Sequence, residues 1–261
     1  MQVYIDKCVQ TRKEGYTNDP KLIRSDYNHE RESIEVYKGR ELLELIQNAD
    51  DELLDGMSKE VRISFVDDVL TISNTGLPFS EEGIDSLMYS NMSAKTHKKD
   101  VIGNKGTGFR AILGWADEIR IKSGELSIRF SDSFAQSVLS DILKKSNHVK
   151  SGLKYRAATL VFPEWIDSKE ESTYTTDISI QVHKDINIIN DINKQLDDID
   201  GELLLFLNRT EELTIETKDR KICFKKSPLG EDRILIEKLT DGVLEDTQEW
   251  LMNRKDGEFE G

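Results

Sequence analysis

The sequence predicts an α+β fold, and three observations carry that prediction. Apolar residues recur at helical spacing in the first part of the chain: Leu22, Ile23, Tyr27, Ile34 and Tyr37, then Leu42, Leu43, Leu45, Ile46, Ala49, Leu53 and Leu54. Between and after these stretches lie short runs in which β-branched and polar residues alternate, such as VRISFVDDVLTIS at 61–73 and EIRIKSGELSIRFS at 118–131. From about residue 211 the pattern changes to short strands, ELTIE, KICFKK and RILIEKL. A unit of helices and mixed strands followed by strands is an α+β plan.

The elements follow in order. Residues 20–37 form one amphipathic helix, broken at Gly39, and a second helix runs to about Leu54. Asp67-Asp68 turns a hairpin over 61–73, and NTGLPF, 74–79, is a turn. Ser80 caps a short helix that carries Glu81 and Glu82 in its first turn, where carboxylates meet the positive end of the helix dipole. Residues 92–108 are polar, dotted with glycine and carry four lysines, which makes them a long loop. FRAILGWA, 109–116, is expected to be a helix, and Ser123-Gly124 to turn a second hairpin. After a helical stretch at 131–146, YRAATLVF and DISIQV read as strands, and INDINKQLDDID and ELLLFLN as helices. Trp250 and Leu251 make a last apolar patch. The expected organisation is one domain over 1–208 with an N-terminal helical arm, then the start of a β-rich second unit over 209–261. The end at GEFEG does not look like a domain end, so a longer parent chain is expected.

Composition limits the function. The chain of 261 residues carries a formal net charge of −14, which argues against non-specific binding to nucleic acid or to acidic membranes. Cys8 and Cys223 are far apart, and the four histidines are scattered, so neither zinc spacing nor a disulfide framework is present. There is no apolar run long enough to span a bilayer and no leader pattern, and a cytoplasmic protein is expected.

The segment ELLELIQNADDE, 41–52, raises the chemical question. Glu41, Glu44, Asn48 and Asp51 recur at intervals of three and four, and so point roughly the same way on a helix. An ordinary solvated stripe mixes signs or carries lysine; this one holds only carboxylates and an amide. Asn is a poor residue for a helix interior. Such a face suits a hard cation such as Mg²⁺, or a polarised water. The loop GNKGTGF supplies Gly103, Gly106 and Gly108 just before an expected helix. It fits neither the Walker A pattern nor the dinucleotide fingerprint. Glycines before a helix do allow close approach of a phosphate to free N–H groups. Alone, this loop and the NTGLPF turn read better as simple turns.

In sequence order, ELIQNADD, NTGLPF and IGNKGTGF resemble the stations of the GHKL ATPases, the superfamily of gyrase B, the ninety-kilodalton heat-shock chaperone, histidine kinases and MutL. They are most similar to the sacsin and NO VEIN branch. DYNHERESIEVYKGRELLELIQNADD and GELLLFLNRTEELTIE also look like the flanks of bacterial members. The strong resemblance covers about residues 20–125 and weakens towards 217.

What it implies is a Bergerat-type two-layer α/β sandwich, with a mixed, mainly antiparallel sheet covered by helices on one face. It implies Mg²⁺-dependent binding and slow hydrolysis of ATP, coupled to lid closure and to a conformational or dimer change. Glu44 matches the carboxylate that deprotonates the attacking water, Asn48 the amide that ligates Mg²⁺, and Asp51 a carboxylate of the pocket wall. Asn74 stands where the family usually has the Asp that binds the adenine amino group, and Gly76 lets the chain pass under the base. Residues 92–105 match the lid, and Gly103, Lys105, Gly106, Thr107, Gly108 and Phe109 its hinge and phosphate end. Thr159 matches the threonine of the last motif. Pro78 and Ala158 replace glycines usual in the family. Phe109 and Trp115 carry side chains better suited to a core than to base stacking. Lys95, Lys98 and Lys99 read as a solvated loop, and Arg110 is left unassigned.

Partners implied are ATP, together with a second copy or further domains of a longer chain. The alternative is a regulatory module that holds ATP without hydrolysing it, and Glu44 argues against that. Similar modules serve quality-control chaperones and bacterial defence proteins. A histidine kinase would need a phospho-acceptor on a dimerising hairpin. His29 has no second helix beside it.

Overall fold

The computed structural model describes residues 1–89, 108–145, 155–167 and 172–252. The chain opens with three helices: α1 (Gln2–Asn18), α2 (Lys21–Val36) and α3 (Glu41–Asp51). A hairpin of β1 (Glu60–Val66) and β2 (Val69–Asn74) follows, with Asp67 and Asp68 both at positive φ in the turn, the geometry that matches the twist of the flanking strands. Next are α4 (Glu81–Met88), a 3₁₀ segment (Gly108–Gly114), the hairpin of β3 (Ala116–Ser123) and β4 (Leu126–Ser131), and α5 (Asp132–Lys145). The order continues through a 3₁₀ turn at Thr159–Val161, β5 (Glu164–Trp165), β6 (Thr176–Val182), α6 (Ile186–Asp197) and α7 (Leu203–Phe206). It ends in a meander of β7 (Glu212–Thr217), β8 (Lys221–Pro228), β9 (Arg233–Thr240) and β10 (Val243–Leu251).

The fold is α+β, built on a mixed sheet with strand order β10-β9-β8-β7-β1-β2-β6-β3-β4-β5. Among the described residues only β1 and β7 run parallel; the other neighbours are antiparallel. Register is set by a line of isoleucines. Ile222, Ile215, Ile63, Ile72, Ile178, Ile121 and Ile128 stand directly opposite one another across seven adjacent strands, and the line ends on Trp165. β-branched side chains in direct cross-strand contact are the favoured pairing of a pleated surface. This face packs against Leu42, Leu45, Ile46 and Ala49 of α3, Ile84 and Leu87 of α4, Phe109 and Ile112 of the 3₁₀ segment, and Ile192 and Leu196 of α6. The opposite face is polar and is laced by pairs such as Arg62–Glu216 (2.7 Å), Thr71–Ser179 (3.2 Å) and Arg129–Glu164 (2.5 Å).

A second, smaller core joins α1, α2, α5 and the strand-like stretch before β5. Tyr16 meets Phe162 edge to face at 5.6 Å, and the Tyr16 hydroxyl donates to Asp26 at 2.8 Å. Arg12 and Arg110 are both buried, and each donates to the end of α4, to Met88 O and Leu87 O respectively. Glu30 of α2 accepts from the amides of Thr159 (2.8 Å) and Leu160 (3.1 Å). Burial pushes its carboxyl above the usual range, while the two amides and the Arg110 guanidinium pull it back.

Three expectations change. FRAILGWA forms the 3₁₀ segment rather than an α-helix: Gly108, Phe109, Arg110, Ala111 and Ile112 are all buried, and an amphipathic helix would keep a solvent face. YRAATLVF does not make a strand. Glu30 supplies the hydrogen bonds that a ladder would have given to Thr159 and Leu160, and β5 pairs with β4 instead. Residues 209–252 do not begin a separate sheet. β7 docks on β1, and β8–β10 extend the same sheet.

Replacing Glu30 by Ala removes the acceptor of two buried amides, and is expected to cost about 3 kcal/mol of stability. Urea denaturation checks this; a loss near zero would show that other groups take over the two amides.

Candidate functional site

Three segments meet on α3. Glu44 lies on its exposed-facing side yet is mostly buried, with Arg40 at 3.4 Å. Burial raises the Glu44 carboxyl above the ordinary range, and Arg40 opposes the shift. The reason for the burial is Gly108. A Cβ on that residue would stand 2.2 Å from Glu44 Oε2 and 3.1 Å from Glu44 Cβ, so the backbone of the 3₁₀ segment touches the carboxylate. Asn48 follows one turn later and is half-buried, as is Asp51, whose backbone carbonyl accepts from Arg209 Nη1 at 2.6 Å. Glu41 is not part of this face. It is 3 % exposed, and its carboxylate accepts from Gln195 Nε2 at 2.7 Å.

The second contact is at the other end of α3. Beyond β2 the chain turns hard against the helix: a Cβ on Gly76 would lie 2.4 Å from the carbonyl oxygen of Glu52, and Leu77 N–H donates to that oxygen at 2.8 Å. Neither partner atom can swing away, because both are backbone. Asn74, the last residue of β2, stands two residues before this contact.

Asn74 marks where the apolar face of the sheet turns polar. One step beyond the isoleucine line, Val61, Asn74, Thr176 and Ser123 stand opposite one another. Thr176 Oγ1 and Ser123 Oγ are 2.6 Å apart, and Ser123 Oγ also accepts from Phe79 N–H at 2.9 Å. On the reverse face Ser73 Oγ donates to Asp177 at 2.5 Å. Asn74 is 6 % exposed, and its side-chain oxygen is buried with no hydrogen-bond partner among the described residues. A buried carbonyl left unmatched costs roughly 1–3 kcal/mol, so its place at the edge of a core asks for a donor other than the described residues.

The structure therefore brings Gly108 against Glu44 and Gly76 against Glu52, on the helix that also carries Asn48 and Asp51. It places two other expected residues elsewhere. Phe109 is in the main core at 2 % exposure, so only its backbone can face a ligand. Thr159 sits on the short 3₁₀ turn, held by Glu30 and packed among α2, α4, α5 and β4. The threonine beside Asn74 is Thr176. Its signal in the sequence is slight: it opens the DISIQV strand, but only the register with β2 reveals its neighbour. Arg110 is turned inward to Leu87 O. Gly103, Lys105, Gly106 and Thr107, with Lys95, Lys98, Lys99 and the whole stretch 92–105, lie outside the described residues.

Among the described residues no three His, Cys, Asp or Glu side chains gather as a metal cluster, and no helix is long and apolar enough to cross a membrane. An open cleft of about 520 Å³ lies between the end of α6 and β8–β10, and none of the expected site residues lines it. Its basic side chains are already engaged, Arg220 with Asp197 and Lys238 with Glu245.

Gly76→Ala is expected to lose about 1–3 kcal/mol through overpacking against backbone. Gly15→Ala serves as the control, because its Cβ would meet only Leu22 Cδ1 at an ordinary 3.8 Å. Thermal unfolding of the pair checks this; equal midpoints would mean that the turn relaxes away from α3. No protein-family model and no curated protein matches this chain.

Proposed function

We propose that this chain binds Mg-ATP and hydrolyses it slowly, as a GHKL-type module of the Bergerat fold. The observation that carries the reading is the pair of glycine contacts on α3. Gly108 lies against the Glu44 side chain, which would have to shift to admit a Cβ, and Gly76 lies against the Glu52 backbone, which leaves a Cβ no room. The helix carries the base, and the unmatched Asn74 oxygen belongs to the residue two before the Gly76 contact. The order of the three sequence motifs supports the same reading.

The residues present fit the group. Among the described residues Asn74 Oδ1 lacks a donor, and an adenine amino group is one. Mg²⁺ keeps several waters and takes substrate phosphates, so a single amide oxygen from Asn48 is a fitting protein contribution. When bound, the ion neutralises phosphate charge and orients the phosphates. Asn48 holds it; Asp51 borders the pocket. Glu44 accepts a proton from water, and its raised pKa brings it nearer the operating pH. Gly108 shields that carboxylate from water. In a larger assembly, a second copy or an attached effector would read the nucleotide state, as the chaperone-like relatives of this pattern imply.

Hydrolysis and binding are measured separately. Glu44→Gln is expected to lower turnover by about 10²–10⁴ while ATP still binds. Wild-type turnover is expected to fall as pH drops through the Glu44 pKa, with a midpoint above the ordinary carboxylate value of about 4.3. A variant that turns over normally removes Glu44 as the base; a wild type that binds ATP and never hydrolyses it leaves a nucleotide-sensing module. Asn74 offers both an acceptor and a donor, so it discriminates adenine from guanine less sharply than an Asp. Asn74→Asp is expected to widen the ATP-over-GTP affinity ratio, by on the order of 1–3 kcal/mol. Competition binding reads this, and an unchanged or narrowed ratio would remove Asn74 from base recognition.

A further inference from the structure

The N-terminus of α3 has no side-chain cap of its own: the side chain of Arg40, the N-cap residue, accepts no hydrogen bond from the amides of the first turn. α6 supplies what is missing. Gln195 Oε1 accepts from Leu42 N–H at 3.3 Å, and Gln195 Nε2 donates to Glu41 Oε2 at 2.7 Å. At the far end of the helix the Asp50 carboxylate, 3 % exposed, takes four hydrogen bonds. They come from the amides of Asn208 (2.9 Å), Arg209 (2.9 Å) and Thr210 (2.6 Å), and from the Thr210 hydroxyl (2.7 Å). Arg209 adds its bond to the Asp51 carbonyl. Both holds belong to one stretch of chain, 195–210, which runs from α6 through α7 to β7. Immediately afterwards Glu211 and Glu212 donate to Lys59 O, and β7 enters the sheet beside β1.

We propose that this stretch sets the position of α3, with Asp50 and Gln195 as positioning residues for Glu44 and Asn48. The proposal rests on the Mg-ATP reading. Asp50 is turned away from the line of Glu44, Asn48 and Asp51, so it does not reach a ligand itself. Its chemistry argues against simple glue. A leucine there would hold the helix to the core without the cost of burying a charge. A carboxylate with donors from three consecutive residues fixes direction as well as contact, and stops the helix from sliding or rotating. Gln195 does the same at the start. Because the stretch is continuous with β7–β10, a load or a partner on those strands reaches the site through it.

Asp50→Asn and Gln195→Leu test this in the whole chain. The first keeps size but turns an amide N–H₂ towards the donors; the second keeps bulk but loses both bonds to α3. Two quantities are read: hydrogen exchange of the amides of residues 45–49 without nucleotide, and turnover per ATP-binding site, titrated by bound ATP. Each variant is expected to speed exchange in 45–49 about tenfold while β3–β4 stay unchanged. Turnover per bound site is expected to fall about tenfold or more, since a displacement near 1 Å can cost on the order of 10². Unchanged exchange in 45–49 for both variants overturns the proposal. Faster exchange with full turnover per bound site overturns it too, and reduces the stretch to a stabilising contact. A wild type that binds no ATP removes the nucleotide reading, and the positioning role falls with it; loss of turnover confined to the variants keeps both.

Discussion

The line of isoleucines across the sheet is the constraint on which the rest depends. Side chains in a strand alternate with a period of two, so a slip of one residue in any pairing would turn that strand's apolar set to solvent. Ile63, Ile72, Ile178 and Ile121 forbid such a slip in the four central strands. With the register locked, the next row is fixed as well, and that row holds Asn74, Thr176 and Ser123. The polar end of the core face is thus a by-product of its apolar middle. α3 lies on the same surface through Leu42, Leu45, Ile46 and Ala49, which brings its polar side to that edge.

The helix then carries two incompatible demands. Its apolar stripe needs tight packing, and its polar residues need an open approach. Glycine resolves the conflict at two points. At Gly108 and Gly76 the neighbouring chain comes close enough to fill the space beside α3 with backbone, whose N–H and C=O groups remain available. A side chain at Gly108 would displace the Glu44 carboxylate, and one at Gly76 would push the chain off the end of α3. The raised Glu44 pKa depends on the burial of that carboxylate, since Arg40, largely solvated, opposes the shift only in part.

Much of this is legible in the sequence because it is local. The alternation in VRISFVDDVLTIS gives the β1–β2 hairpin, and the spacing of Glu44, Asn48 and Asp51 gives a polar helix face. What the sequence hides is set by partners distant along the chain. Glu41 has the same spacing as its neighbours, yet Gln195 claims it. Thr159 looks like a strand residue until Glu30 takes its amide. Thr176 is an ordinary strand opener until β6 is seen to pair with β2. The β-rich end reads as a new unit because its strands are local to one another. The parallel contact of β7 with β1, which merges it into the first sheet, leaves no local mark.

That parallel contact also orders events in time. Residues 60–65 cannot find their neighbours at 212–217 until about 150 further residues have been made, whereas β1–β2, β3–β4 and β7–β10 close over short loops. Closing so long a loop is slow compared with forming hairpins. During synthesis the hairpins would form early, and the β1 edge would stay bare until β7 emerged, exposing a strand edge prone to wrong pairing. The helix of the candidate site would wait with it, because Asn208, Arg209 and Thr210 come from the same late segment. A nascent chain of this protein therefore has no firmly held α3 before residues 208–217 have been made.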